Sequence, residues 1–504
     1  MRRLTHSEVL FVVITAMAMA PASGRAAPPK DEAITSWVKE AIRVDPRVHE
    51  SMIEVRTVDG VVTLAGDVES LADKKYGVLE AAKIQGVKGV LDKMSVMLSY
   101  RFDTDIEQDI RRRLLESVSL KSQDVRVHVL DGQATLTGQV TSWAERDEAE
   151  LLASEVRGVR AIVNDIEVNF DKMRSDDEIR KDVIAALRRD VYLTSVGFAV
   201  DVTDGVVTLQ GAVGSDYQRG RAERDVRWIQ GVRKVDNQVE VEWWEASHAR
   251  EKAPAPSNDE LKESVRLELY EDLRINPTEL KVDASYGHVT LRGTVPTYYQ
   301  KRLAEQDAHN VVGVAWVSNL LSVRAAKRSD EAIRDGVQFA FDSDYALSGL
   351  DIKVHVKHGM VALSGTVNSP YERAHAAELA SKVRGVIGLN NLLIVNWYPR
   401  YSDASLRERI EKRLAANAET RWVADQIHVR VVNGKVTLTG EVSFWLEREE
   451  AEKVALLTDG IWAVDNRLTV AGADYKWEDW HYAWPEPSTA SPRGPVHQEY
   501  YWTP

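Results

Sequence analysis

The residue types that could do chemistry in this chain are few. His355 and His358 stand three apart across a strand end and a turn, a spacing that could hold a metal. The slot of His355 recurs elsewhere as Arg56, His128, Asp201, Asp283 and Arg430. A position that takes either charge and histidine reads as a solvated strand face, so no metal ligand is assigned. No phosphate loop, H-E-x-x-H or G-x-S-x-G stretch occurs. No catalytic residue, cofactor or metal is therefore expected.

The other chemically suggestive series is apolar or aromatic: Leu71, Trp143, Tyr217, Tyr298 and Tyr299, Tyr371, Phe444 and Trp445. Each opens a predicted helix. Two readings fit these rings. They are hydrophobic staples onto the preceding strand, or wedges for a lipid headgroup layer, which suits Trp and Tyr. Charge separates the copies. Between Tyr217 and Gln230, Arg219, Arg221, Arg224 and Arg227 outnumber Glu223 and Asp225. Between Leu71 and Ile84, Lys74, Lys75 and Lys83 outnumber Asp73 and Glu80. Between Trp143 and Val156, Arg146 faces five acids. A basic residue near an anionic surface contributes about 1 kcal/mol. The lipid-contact candidates are thus Tyr217, Arg219, Arg221, Trp228, Lys74, Lys75, Tyr298, Tyr299 and Trp445.

What positions these residues is a phrase that recurs six times. In Val125 to Val140, Val125, Val127 and Val129 alternate with polar residues, as in a half-buried strand. Asp131-Gly132 supplies a two-residue turn with positive φ. The turn glycines are Gly60, Gly132, Gly205, Gly287, Gly359 and Gly434. A second glycine follows six residues later each time, as Gly138 does, and marks a bulge or a close approach.

A helix precedes each hairpin, with Ile34, Ile106, Ile179, Leu261 and Ile333 each 26 positions before the turn glycine. Leu406 lies 28 before Gly434, a two-residue insertion. Acids gather at these helix starts, where they complement the helix dipole. A second helix starts with a capping box, as in Ser142 and Glu145. Asp73 is expected to be too short for that role, and Ser443 is expected to cap the sixth copy in place of Phe444. Gly86, Gly158, Gly231, Gly313, Gly385 and Gly460 end these helices. A final strand carries Asn164, Asn237, Asn319, Asn391 or Asn466, with Asp92 in the first copy. Asn there is expected to satisfy backbone groups.

The fold class is therefore α+β, a tandem array of six small helix–strand–strand–helix–strand (αββαβ) modules of about 67 residues, near the lower limit for a self-sufficient core. The expected modules are 29–98, 102–170, 175–243, 257–324, 328–396 and 402–470. A Pro/Ala linker, 244–256, is the best hinge and divides the chain three plus three. The rings of Tyr100, Phe102, Trp397 and Tyr398 are expected to seal neighbouring modules. The tail, 471–504, is rich in Trp and Pro and should lack its own fold. It either packs back on the last module or is a docking tail.

Composition narrows the function classes. The net charge of -13 argues against general nucleic-acid binding, which needs a basic footprint. Residues 1–22 have the grammar of a secretory signal, with Arg2 and Arg3, the apolar run Val9 to Ala20, and Ala20-Pro21-Ala22. Cleavage nearer Ala26, or an uncleaved anchor, also fits. The absence of cysteine excludes disulfides, thiolate metal sites and cysteine nucleophiles. Export without disulfides points to a bacterial envelope compartment.

The six-fold D-G-x-x-T-L-x-G-x-V, then S-x-x-E-R-x-x-A, then G-V and a V-x-N strand, resembles the BON domain of bacterial envelope proteins. The match is fullest at Asp131-Gly132 and Asp204-Gly205. Tyr286-Gly287 and His358-Gly359 depart at the turn but keep the glycine. The resemblance implies two helices packed on one face of a three-stranded mixed sheet. It also implies periplasmic location, a role in osmotic or other envelope stress, peripheral phospholipid binding and no catalytic motif. Envelope proteins are a second class of partner, and a periplasmic protein-binding scaffold or chaperone-like adaptor is the alternative function.

Overall fold

The computed structural model describes residues 29–48, 53–97, 101–117, 120, 124–170, 174–193, 197–242, 256–272, 274–275, 280–325 and 327–471. The signal region, the expected 244–256 linker except Pro256, and the tail beyond residue 471 lie outside the described residues, as does Tyr100.

Each module builds one three-stranded sheet, and each sheet pairs within its own module. In module 2 the hairpin strands Arg126–Leu130 and Gln133–Val140 run antiparallel, and Ala161–Val168 adds in parallel to the second of them. The crossover that permits a parallel partner is the second helix, Trp143–Ser154. The first helix, Asp103–Glu116, precedes the hairpin. Both helices cover one sheet face. Val127, Val129, Ala134, Leu136 and Val140 point inward and are buried, while their neighbours point out. Ile106, the apolar residue 26 before the turn glycine, is 1% exposed. The same architecture recurs in modules 1, 3, 4, 5 and 6.

The turn has the expected two-residue geometry, with φ of 49° at Asp131 and 74° at Gly132. The first-helix acid does more than complement a dipole. Asp103 accepts from the turn amides of Asp131 at 2.7 Å and Gly132 at 2.9 Å, tying helix start to hairpin. Asp31, Asp176, Asp330 and Asp403 repeat this, and Asn258 accepts from Tyr286. Gly138 is a close approach: the parallel register runs through it, opposite Ile166, and a Cβ there would lie 2.2 Å from the Asp124 carbonyl oxygen.

Two capping expectations are corrected. Asp73 is long enough, because its carboxylate accepts from the backbone of Ser70 at 3.0 Å and Glu69 at 3.1 Å. In module 6 the helix boundary falls at Phe444, and Ser443 does not cap. Glu447 instead reaches back to the amides of Phe444 and Ser443. The final-strand asparagines behave as expected. Asn164 donates to the Arg146 carbonyl at 3.2 Å and accepts from the Ile166 amide at 3.3 Å.

Modules 1, 2 and 3 close into a three-module ring, and modules 4, 5 and 6 into a second. The contacts run head to tail, from the start of one second helix to the Gly–Val segment of the next module. Trp143 donates through Nε1 to the Val232 carbonyl at 2.8 Å. Tyr298 meets Val386 in module 5. Trp445 closes the second ring on module 4. The helices of modules 1 and 3 close the first. The two rings stack through pairs 1–6, 2–5 and 3–4, each joined by short antiparallel bridges between helix ends: Ile84 with Asn417, Val156 with Asp344, Ser117 with Val383, and Asp190 with Val311. The pair 2–5 is reciprocal, so the stacking has pseudo-two-fold character. These bridges satisfy backbone groups that helix ends leave open.

Candidate functional site

The second-helix starts do not stand free. They form the seams of the two rings, and each of the nine lipid-contact candidates is at least half withdrawn from solvent. Trp445 stacks on His309 with centroids 3.7 Å apart and meets Trp316 edge-on at 5.8 Å. Tyr217 lies 5.7 Å from the Tyr192 ring, with Lys83 of module 1 above it. Tyr298 packs against the core of module 5, and Lys382 of that module lies over Tyr299. Trp228 donates to Asp147 of module 2 at 3.1 Å and carries the Arg274 guanidinium of module 4 at 4.5 Å.

The basic candidates are held as firmly. Arg221 is buried and donates to Asp190 at 2.7 Å. Arg219 pairs with Asp216. Lys74 donates to the Met94 carbonyl at 2.7 Å, and Lys75 lies 3.6 Å from Glu150 of module 2. Neither the staple nor the exposed wedge describes these rings as a set. They seal one module against another. An aromatic just after an N-cap looks the same in sequence whether its neighbour is solvent or another copy.

The junction rings divide. Trp397 does seal modules, donating to the Gly460 carbonyl at 2.7 Å. Phe102 and Tyr398 are largely exposed, at 76% and 65%, and seal nothing.

Between the rings lie three clusters of buried charge that sequence reasoning missed. At pair 1–6, Arg47 bridges Asp45 at 2.6 Å and Glu80 at 2.7 Å, and Lys83 reaches Glu450 at 3.2 Å. Burial alone would raise Glu450, but Lys83 and Lys453 beside it bring it down to about 2. At pair 2–5, Arg113 lies 3.2 Å from Asp344 and 3.4 Å from Glu155, while His375 meets Asp344 at 3.0 Å. Burial opposes the Asp344 charge, yet His375 and Arg113 outweigh it and hold Asp344 at about 2. Pair 3–4 is acid-rich. Arg189 bridges to Glu268 at 3.2 Å and to Glu271, but burial pushes Glu268 up to about 7. Burial and then Asp190 push Asp225 to about 7 as well. His309, under Trp445, is driven down to about 3 by burial and then by Arg448.

Glu450, Asp344 and Glu268 each face a cation from another module: Lys83, Arg113 and Arg189. The strand slot of Arg56, His128, Asp201, Asp283, His355 and Arg430 faces solvent in every copy. Among the described residues no group of three or more His, Asp or Glu could hold a metal ion, and no helix is long and apolar enough to cross a membrane.

Such a chain is a closed array of small α+β modules built around packing seams and outward sheet faces. It belongs to the BON domain family, whose pattern matches residues 30–97, 102–169, 175–242, 257–325, 329–396 and 402–472. Osmotically-inducible protein Y of Escherichia coli (strain K12) is 36% identical over 143 residues, 27% of this chain and 71% of the relative. An uncharacterised protein of Anaplasma centrale, from the gshII 5' region, is 27% identical over 122 residues, 23% of this chain and 81% of that one. Among solved structures, the C-terminal domain of CdsD, the structural protein of the Type III secretion system of Chlamydia trachomatis, shares 13% identity at a TM-score of 0.12. That match covers 44% of this chain and 100% of the domain. The PrgH periplasmic domain shares 14% at 0.12, over 38% of this chain and 95% of that one. Scores this low carry no argument about assembly or function.

Proposed function

We propose that this is an exported, non-catalytic periplasmic protein that holds peripherally to phospholipid surfaces and supports envelope integrity under osmotic stress. The observation that carries this reading is the division of labour within each module. The second-helix starts are taken up by seams, where the buried charges are paired, while the sheet side is turned outward and differs from copy to copy. A closed body cannot lay six faces on one plane, so avidity from all six copies at once is not part of the reading. Tyr217, Arg219, Arg221, Trp228, Lys74, Lys75, Tyr298, Tyr299 and Trp445 would meet lipid only where a seam parts.

The test is co-sedimentation of the mature full-length protein with vesicles of varied anionic lipid content and salt. Binding that requires anionic lipid and falls with salt supports the reading. No binding to any vesicle favours the second reading, a periplasmic scaffold for envelope proteins. The net charge of -13 and the acidic outer faces of modules 2 and 3 speak for that second reading.

A further inference from the structure

The six outward sheet faces are homologous, so they can be compared position by position. The residue after the final-strand Asn or Asp is Lys93, Asp165, Gln238, Leu320, Leu392 or Arg467. Two positions further on stand Ser95, Glu167, Glu240, Ser322, Ile394 and Thr469. Only module 5 is apolar at both, and Leu392 and Ile394 are 49% and 41% exposed. On the opposite edge of the same sheet, Lys353 and Lys357 point outward and are exposed.

Strand pairing makes these one surface. Lys353 pairs with Ser364, which pairs with Leu392, and Lys357 pairs with Met360, itself exposed. The outward positions of these three strands carry no acid; the nearest in sequence is Asp351, just before the first strand. Each other face does carry acid: Glu54 and Asp67 in module 1, Asp165 and Glu167 in module 2, Asp201, Asp236 and Glu240 in module 3, Asp283 in module 4, Glu441 and Asp465 in module 6. A lysine edge beside an apolar edge is the composition of an interfacial binder, whose basic residues seek headgroup phosphate and whose alkyl groups enter the boundary below.

Resting on the lipid reading above, we infer that the outer sheet face of module 5 is the membrane-docking face, taking anionic phospholipid headgroups at Lys353 and Lys357 with Met360, Leu392 and Ile394 seated in the interfacial layer. The other five faces then point away from the bilayer or along it, and their acids are not forced against lipid.

The experiment is co-sedimentation of the full chain with phosphatidylcholine vesicles, with and without phosphatidylglycerol. Lys353→Ala plus Lys357→Ala should weaken binding to the anionic vesicles about 30-fold, at roughly a factor of five per lysine. Leu392→Ser plus Ile394→Ser should weaken it while preserving its dependence on anionic lipid. The matched change on module 1, Arg56→Ala plus Lys93→Ala, should stay within about twofold. All four positions of the module 5 variants are exposed, so unchanged thermal melts are expected and confirm folding. Unchanged binding by both module 5 variants overturns this face while leaving the lipid reading in place. So does equal loss from the module 1 control. Failure of the unaltered protein to bind any vesicle overturns the lipid reading, and this inference with it.

Discussion

The helix side and the sheet side of the same module obey different rules. On the helix side, Arg221, Asp190, Arg113, Asp344 and Glu450 are nearly sealed from water, and each is held by a partner of opposite charge. On the sheet side one slot holds Arg, His or Asp without consequence for the backbone beneath it. A seam constrains what may stand in it, because an unpartnered buried charge is costly. A solvated face does not. The first region fixes how the modules assemble, and the second is free to differ between copies.

Breaking a seam charge should give the largest effect. Asp190→Ala leaves the buried Arg221 guanidinium only the longer contact to Asp225, at 3.8 Å, and should lower unfolding stability by about 3 kcal/mol, read from urea denaturation. If the seams and faces were alike, Asp201→Ala on the outer sheet of the same module would cost as much. Trp445→Ala removes the stack on His309 and the edge contact to Trp316, and should cost about 3 kcal/mol in the same assay.

Acidity sharpens the contrast between one seam and the others. Asp225 and Glu268 titrate higher in the folded protein than in the unfolded chain, so they stabilise most while protonated. That contribution is full below about pH 4, declines as pH rises toward 7, and is flat above. Asp344 and Glu450 are displaced downward, so theirs is full above about pH 4 and lost toward pH 2. The variant Asp225→Asn plus Glu268→Gln should therefore gain on the unaltered protein between pH 5 and pH 8, measured by urea midpoints. A constant difference across that range would remove the acid-rich seam from the comparison.

Within one module the effects become small. Ser142→Ala deletes the side-chain oxygen that accepts from the Glu145 amide at 3.2 Å and should cost about 1 kcal/mol. His128→Ala and Asp201→Ala on the outer faces should stay within about 0.5 kcal/mol.

The module itself was legible in the sequence because its signals are local. Asp131-Gly132, the alternation of Val127 and Val129, Ser142 with Glu145, and Gly158 each act within a few residues. Two local readings still failed on geometry that residue types do not specify: the reach of Asp73, and the helix boundary at Phe444. The candidate site was less legible for a different reason. Trp143, Tyr217 and Trp445 have partners 89, 134 and 136 residues away in the chain: Val232, Lys83 and His309. Nothing in the spacing of repeated modules says which surface of one meets which surface of another. The buried Arg113 occupies a first helix whose sequence looks solvated, and its partners Ser343, Ala340 and Asp344 belong to a module of the other ring.

Closure of each ring sets an arithmetic on the number of copies. Were one copy deleted, a Trp or Tyr at one helix start would face water and a Gly–Val segment elsewhere would lose its cover. A chain of this kind should lengthen or shorten by whole triplets, while tolerating wide change on any single sheet.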